Sequence, residues 1–343
     1  MPSNPIEYQA DILVEVTRGG MVESRHRGHI AVMDYEGKLI ASSGNPHYYT
    51  FARSAAKPLQ AVPLLEAGGA ERFGLNDAEI ALSCASHSGE PLHTETALGL
   101  LGKAGLGESA LHCGVQEPLY KPSADRLKED GTVPSQLHNN CSGKHAGMLA
   151  LARLLNVSTD QYTQPEHPVQ RKMLKTVAEL SGIPESSIAL GTDGCGVPVF
   201  AMPLSALAFA YASIGRPDRL PASRAEACRR IVRAIRHQPY YVAGTDRFDT
   251  RLVEATSGRI IGKMGAEGVF AASVPELGIG LALKIEDGAE RASYPAAAEA
   301  LEQLDLLSPE ELGRLKAYHQ PPVPNRRGES VGVIRPVFRL HRT

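Results

Sequence analysis

The sequence predicts an α+β fold. A mixed, mainly antiparallel sheet is built from both chain ends and flanked by helices, with a helical lobe between those ends. Three observations predict it: short β-branched runs open the chain, similar runs return after residue 257, and the stretch between them carries helical patterning with recognisable starts and stops. The 343 residues are enough to bury a large core. We read residues 1–343 as a single domain, with a sheet lobe from about 1–53 and 257–343 and a largely helical part from about 54–256.

The elements follow in order. Residues 12–17 and 28–33 are β-branched, and the turn Asp34-Tyr35-Glu36-Gly37 carries the second run into 38–42 as a hairpin. Asn45-Pro46 marks a loop. Helices are expected at 54–67, 77–85, 91–104, 142–155, 167–181, 204–213, 222–237 and 246–256. Asn76 before Asp77 and Glu79, and Pro221 and Ser223 before Arg224, serve as starts, whereas Gly68, Gly182 and Gly258 serve as stops. Pro58 belongs to a first turn, which places a helix start near Ser54. Strands return at 259–263, 268–272 and 278–285, helices follow at 292–304 and 309–318, and a last strand lies near 330–338.

Composition narrows the function. Lys and Arg total 36 against 38 Asp and Glu, so no broad basic surface for nucleic acid is expected. Arg229, Arg230, Arg233 and Arg236 recur at helical spacing and read as a solvated helix face. No window approaches the roughly 20 apolar residues of a bilayer span, and Glu7, Asp11 and Glu15 interrupt any leader-like apolar run. Cys84, Cys113, Cys141, Cys195 and Cys228 are odd in number and scattered, which fits a reducing, cytoplasmic compartment.

Four segments can carry chemistry. In Arg53-Ser54-Ala55-Ala56-Lys57-Pro58, a serine and a lysine three apart share a helix face, so the amine can serve as the base that a serine nucleophile needs. The competing role for Ser54 is an N-cap, and the two roles use the same oxygen. The small polar run from Ser83 through Ser86, His87 and Ser88 to Glu90 resembles a site-lining loop. Gly262-Lys263-Met264-Gly265 ends a strand and leaves the amine room to enter a cleft. This order of parts matches that of penicillin-recognising serine hydrolases. The fourth segment, Asn139-Asn140-Cys141-Ser142-Gly143-Lys144-His145, pairs with Gly191-Thr192-Asp193-Gly194-Cys195. Its thiols, with Lys144, His145 and Asp193, can supply a small metal site, for which zinc is the natural ion. Gly143-Lys144 lacks the earlier glycine of a phosphate loop.

Together, the segments 52–58, 84–88, 140–148 and 191–195 resemble the Rhizobium etli-type, or class 3, L-asparaginases. The likeness extends through Thr17-Arg18-Gly19-Gly20, Gly44-Asn45-Pro46, residues 237–244, 262–265 and 284–288, and so over nearly the whole chain. It implies a fold similar to serine β-lactamases and glutaminases, and hydrolysis of L-asparagine to L-aspartate and ammonia. It implies two catalytic Ser–Lys pairs, Ser54 with Lys57 and Ser86 with Lys263, and zinc held by Cys141, Lys144 and Cys195 with Asp193 nearby. A lysine ligand must be neutral, which bound zinc favours. We assign substrate binding to Arg53, His145 and Asp193. The likeness further implies a homodimer, and it departs at Asp249, where some relatives carry a cysteine. A β-lactamase-like or glutaminase-type acyl hydrolase and a non-catalytic zinc-binding protein stand as the alternatives.

Overall fold

The computed structural model describes residues 9–343. Glu7, and with it the start of the segment read as lacking a leader, lies outside the described residues. Strands β1 (Asp11–Arg18), β2 (Met21–Asp34) and β3 (Leu39–Ser43) open the chain as antiparallel neighbours. A small second sheet joins β4 (Tyr49–Phe51), β5 (Ala189–Thr192) and β6 (Pro198–Pro203) in the order β4-β6-β5. The later strands are β7 (Ile261–Gly265), β8 (Val269–Val274), β9 (Ile279–Ile285), β10 (Pro322–Pro324), β11 (Ser330–Pro336) and β12 (His341–Arg342). The large sheet runs β10-β11-β1-β2-β9-β8-β7, with β3 pairing both β2 and β12. It is an antiparallel sheet built from both chain ends, as expected.

Side chains alternate across this sheet, so each strand feeds two cores. Ala31, Ala271 and Ala282 face the larger core beneath the helix Leu204–Gly215. Ile30, Val32, Phe270 and Leu283 face the other core, beneath the helix Glu290–Gln303. Both faces are covered, so β7, β8 and β9 read as near-continuous buried runs.

The predicted hairpin turn forms, with the Asp34 carboxylate accepting from the N–H groups of Glu36 and Lys38 at 2.9 and 2.8 Å. Asn76 caps the helix Asp77–Ser83 in a reciprocal box with Glu79. The arginine face of the helix Ala222–His237 is laced with ion pairs from Arg229, Arg230, Arg233 and Arg236 to Glu226, Glu71, Asp77 and Glu276. Three expectations change. The helix expected from 54 begins as a 3₁₀ turn, Arg53–Ala56, and becomes α-helical only over Lys57–Glu66. The helix Lys121–Glu129 and the small sheet were not foreseen. Among the described residues, no helix is long and apolar enough to cross a membrane.

Candidate active site

The 3₁₀ turn that carries Ser54 is held from two sides. Ala52 donates its N–H to Phe200 O of β6 at 2.8 Å, and β7 packs against the turn from the large sheet. Gly265 makes that approach possible, because a Cβ there would lie 2.8 Å from Ala52 O and 3.2 Å from Ala55 N. Arg53 takes a left-handed φ of 48°, a costly conformation for a residue with a side chain and a common mark of a functional turn. Its guanidinium donates to Asp193 Oδ1 at 3.1 Å. Ser54 Oγ caps no helix, so the N-cap alternative fails.

Lys57 turns inward and is wholly buried. Its Nζ donates to Ala85 O at 2.6 Å, Ser86 Oγ at 2.9 Å and Cys141 Sγ at 3.2 Å. The structure therefore couples Lys57 to Ser86. No hydrogen bond joins it to Ser54 among the described residues, which departs from the pairing expected from the three-residue spacing. Lys263 also departs from expectation. Instead of entering a cleft beside Ser86, its buried Nζ donates to Asp249 Oδ2 and to Met264 O, both at 3.0 Å. Asp249 Oδ2 also accepts the Met264 N–H at 3.0 Å, while Oδ1 is buried without a partner. Burial lowers the Lys263 pKa to about 8, with Asp249 opposing and Lys57 reinforcing the drop.

Ser54 and Ser86 line one cavity of about 570 Å³, together with Asn140, Arg247, Met264 and Glu290. A cavity of about 620 Å³ elsewhere is lined by Arg72, Lys103 and Arg153, and each of these sits in the last turn of a helix, where a cation answers the dipole. Ser54, Ser86 and the cysteines are absent from its lining.

The helix Ser142–Leu154 presents the second cluster. Gly143 lets this helix lie against the one ending at Ser83, since a Cβ would fall 2.3 Å from Leu82 O. One ligating atom each from Cys141, Asp193 and Cys195 lies within 4.8 Å of the others. Lys144 Nζ is 3.0 Å from Cys195 Sγ and 4.0 Å from Asp193 Oδ2. Two sulfurs, an amine and a carboxylate at these separations suit tetrahedral zinc, for which Zn–S distances of about 2.3 Å set ligand separations of about 3.8 Å. The donor set fits the ion. The hydrogen bond from Cys195, then the Lys57 and Lys144 charges, hold the Cys141 thiol well below its usual range against burial. Burial would lower Lys144, but the facing thiols and Asp193 outweigh it and raise its pKa. The other cysteines are structural: burial pushes Cys84, Cys113 and Cys228 up to about 12.

His145 has no exposed surface; its Nδ1 meets Tyr162 Oη at 2.6 Å and its Nε2 is buried without a partner. Burial keeps it neutral, with a pKa well below the usual value. Neither His145 nor Arg53 nor Asp193 lines the serine cavity. The structure thus keeps Ser54 and Ser86 together on one cavity and sets the thiol cluster beside Lys57, with Arg53 and Asp193 paired next to it. Asn140, Arg247 and Glu290 line the serine cavity as well, and none of them is among the sequence-predicted site residues. The only signal was that Asn140, Arg247 and residues 284–288 lay in or beside segments already singled out.

Comparisons with known proteins place this site in context. The family model described as L-asparaginase II matches residues 14–336. No curated protein matches significantly. Among solved structures, a β-lactamase from Mycobacterium bovis is 17% identical, with 82% of this chain and 95% of that one covered and a TM-score of 0.42. Mglu, crystallised in its native form in concentrated NaCl, is 14% identical, with 82% of this chain and 62% of that one covered and a TM-score of 0.39.

Proposed function

The chain belongs to the L-asparaginase II family, and from that premise we propose that it hydrolyses L-asparagine to L-aspartate and ammonia through a lysine-activated serine. The observation that carries the reading is the buried Lys57 amine bonded to Ser86 Oγ at 2.9 Å, on the wall of a cavity that Ser54 also lines.

Ser54 is the nucleophile in this account. It lines the cavity from a turn packed on both sides, and it makes no capping bond. The step starts from the neutral Lys57 amine: because Lys57 bonds Ser86 rather than Ser54, the proton leaving Ser54 is passed to that amine by way of the Ser86 hydroxyl, which makes Lys57 an ammonium. Attack on the side-chain amide carbon builds an oxyanion, for which the Ser54 N–H is the donor; one such donor contributes about 3 kcal/mol where it has been measured. The proton held by Lys57 then returns to the departing ammonia, and water hydrolyses the ester by the same route in reverse. Lys263 and Asp249 form a buried ion pair, and the Lys57 charge acts on Lys263. Cys141, Lys144 and Cys195, with Asp193, would hold zinc, which supplies a fixed positive charge able to orient the polar groups of the substrate. The Arg53–Asp193 ion pair ties that cluster to the turn bearing Ser54. We place the enzyme in the cytoplasm as a homodimer.

Ammonia release from L-asparagine and from L-glutamine by the purified protein tests this directly. Turnover of asparagine well above glutamine is expected. Glutamine preferred, or no ammonia from either, sinks the reading. A stable penicilloyl adduct in intact mass spectrometry would favour a β-lactamase-like hydrolase instead.

A further inference from the structure

The serine cavity holds a charge pattern that the catalytic groups do not use. Arg247 precedes the helix Phe248–Ala255 and enters the cavity half-buried. Its Nη1 donates to Ser88 Oγ at a long 3.4 Å and its guanidinium faces the Tyr294 hydroxyl. Among the described residues, no carboxylate lies within 4.0 Å of that guanidinium. Most of the other arginines within reach of an acid are paired, including Arg53 with Asp193. A guanidinium left without an anion on a cavity wall is set up to receive one, because its planar fork matches a carboxylate through two parallel hydrogen bonds.

Glu290 lines the same cavity from the start of the helix Glu290–Gln303. Its Oε1 accepts from Tyr294 Oη at 2.8 Å, and among the described residues no cation lies within 4.0 Å of its carboxylate. Burial opposes the Arg247 charge, while Tyr294, then Asp249 and then Glu290 favour it, and both Arg247 and Glu290 address Tyr294. Among the described residues, the cavity that holds Ser54 and Ser86 is thus lined by one cation without a carboxylate within 4.0 Å, Arg247, and by two carboxylates without a cation within 4.0 Å, Glu267 and Glu290, of which Glu290 shares Tyr294 with Arg247. A free α-amino acid carries the complementary pair, an α-carboxylate and an α-ammonium on one carbon.

We propose that Arg247 and Glu290 form the recognition site for the zwitterionic head of the substrate, Arg247 taking the α-carboxylate and Glu290 the α-ammonium. This inference rests on the amidohydrolase reading and deepens it by restricting the substrate to free α-amino acid amides. Arg247 is then a specificity-determining residue, and Arg53 is structural.

The test compares L-asparagine with 3-aminopropanamide, which lacks the α-carboxylate, and with succinamic acid, which lacks the α-amino group. In Arg247→Gln, kcat/KM for asparagine falls about 100-fold, mainly through KM, as expected for a lost charge-assisted bidentate contact. The same variant leaves 3-aminopropanamide within about threefold of wild type, and Arg247→Lys recovers part of the asparagine loss. Glu290→Gln behaves in the same way, with succinamic acid as the insensitive probe. Equal losses on both amides, or none, overturn the proposal. Calorimetric binding of L-aspartate, the product head group, separates the two readings. Wild-type binding that disappears in Arg247→Gln without any turnover would keep this site and discard the amidohydrolase. Turnover with unchanged aspartate binding in the variant would do the reverse, and neither binding nor turnover in the wild type would discard both.

Discussion

Replacing Asp249 by asparagine removes the anion beside Lys263 while keeping its shape and an oxygen for the Met264 N–H. Both members of the pair are almost fully buried, with side-chain exposures of 1% and 2%. Lys263 is held at about 8 against an ordinary 10.5, so its ammonium already costs about 3 kcal/mol at neutral pH. Without Asp249 the value drops further, and the lysine escapes by losing its proton, at a cost limited by the distance of the solution pH from 10.5. The variant should therefore be about 1 kcal/mol less stable at pH 7 and about 2–3 kcal/mol less stable at pH 6. Because the folded value lies below the unfolded one, the unfolded chain holds more protons between about 8 and 10.5, and wild-type stability rises with pH through that window. Above about 8 the lysine is neutral in both proteins, and the buried Asp249 carboxylate loses its partner. The difference should vanish there or change sign. Urea denaturation at pH 6, 7 and 9 measures it. A difference that does not change with pH would mean that Lys263 carries no charge in the folded enzyme, and the buried ion pair would have to be abandoned.

Three further outcomes follow from the same geometry. Gly265→Ala forces a methyl to within 2.8 Å of Ala52 O, so it should cost about 1–3 kcal/mol in thermal unfolding and lower kcat more than KM. An unchanged kcat would detach β7 from the placement of Ser54. Cys141→Ala should strip zinc from the protein by elemental analysis, since it removes one of two thiols, and full occupancy would move the site elsewhere. Light scattering should return twice the mass of one chain, whereas a monomer mass would remove the homodimer.

The sheet was legible because its strands announce themselves. Residues 12–17, 28–33 and 278–285 are β-branched or alternate, and Asp34–Gly37 is a turn by its chemistry. The small sheet was not, since β4 and β5 have only three and four residues and β4 pairs with β6 across a long sequence gap, Tyr49 with Pro203. Runs this short leave no periodicity to read. The site shows the same division. Ser54, Lys57, Ser86, Cys141 and Cys195 stand out as residue types in recognisable runs. Which amine meets which hydroxyl does not. The buried Lys57 chain is steered by Ala85 O and Cys141 Sγ, and neither is visible in the spacing from Ser54 to Lys57. Asp249 looked like a stray departure until its oxygen was found on Lys263. Arg247 was hidden for a simpler reason: an unpaired arginine is defined by what surrounds it.

The claim on which the account turns is that a serine of this cavity becomes acylated, and that it is Ser54. Acid-quenched turnover of L-asparagine followed by peptide mapping by mass spectrometry reads that site directly. The account predicts an aspartyl ester on the peptide carrying Ser54, lost in Ser54→Ala along with at least about 10³-fold of kcat. It also predicts that the ester still forms, slowly, in Ser86→Ala. An ester on Ser86, or full turnover by Ser54→Ala, would contradict it.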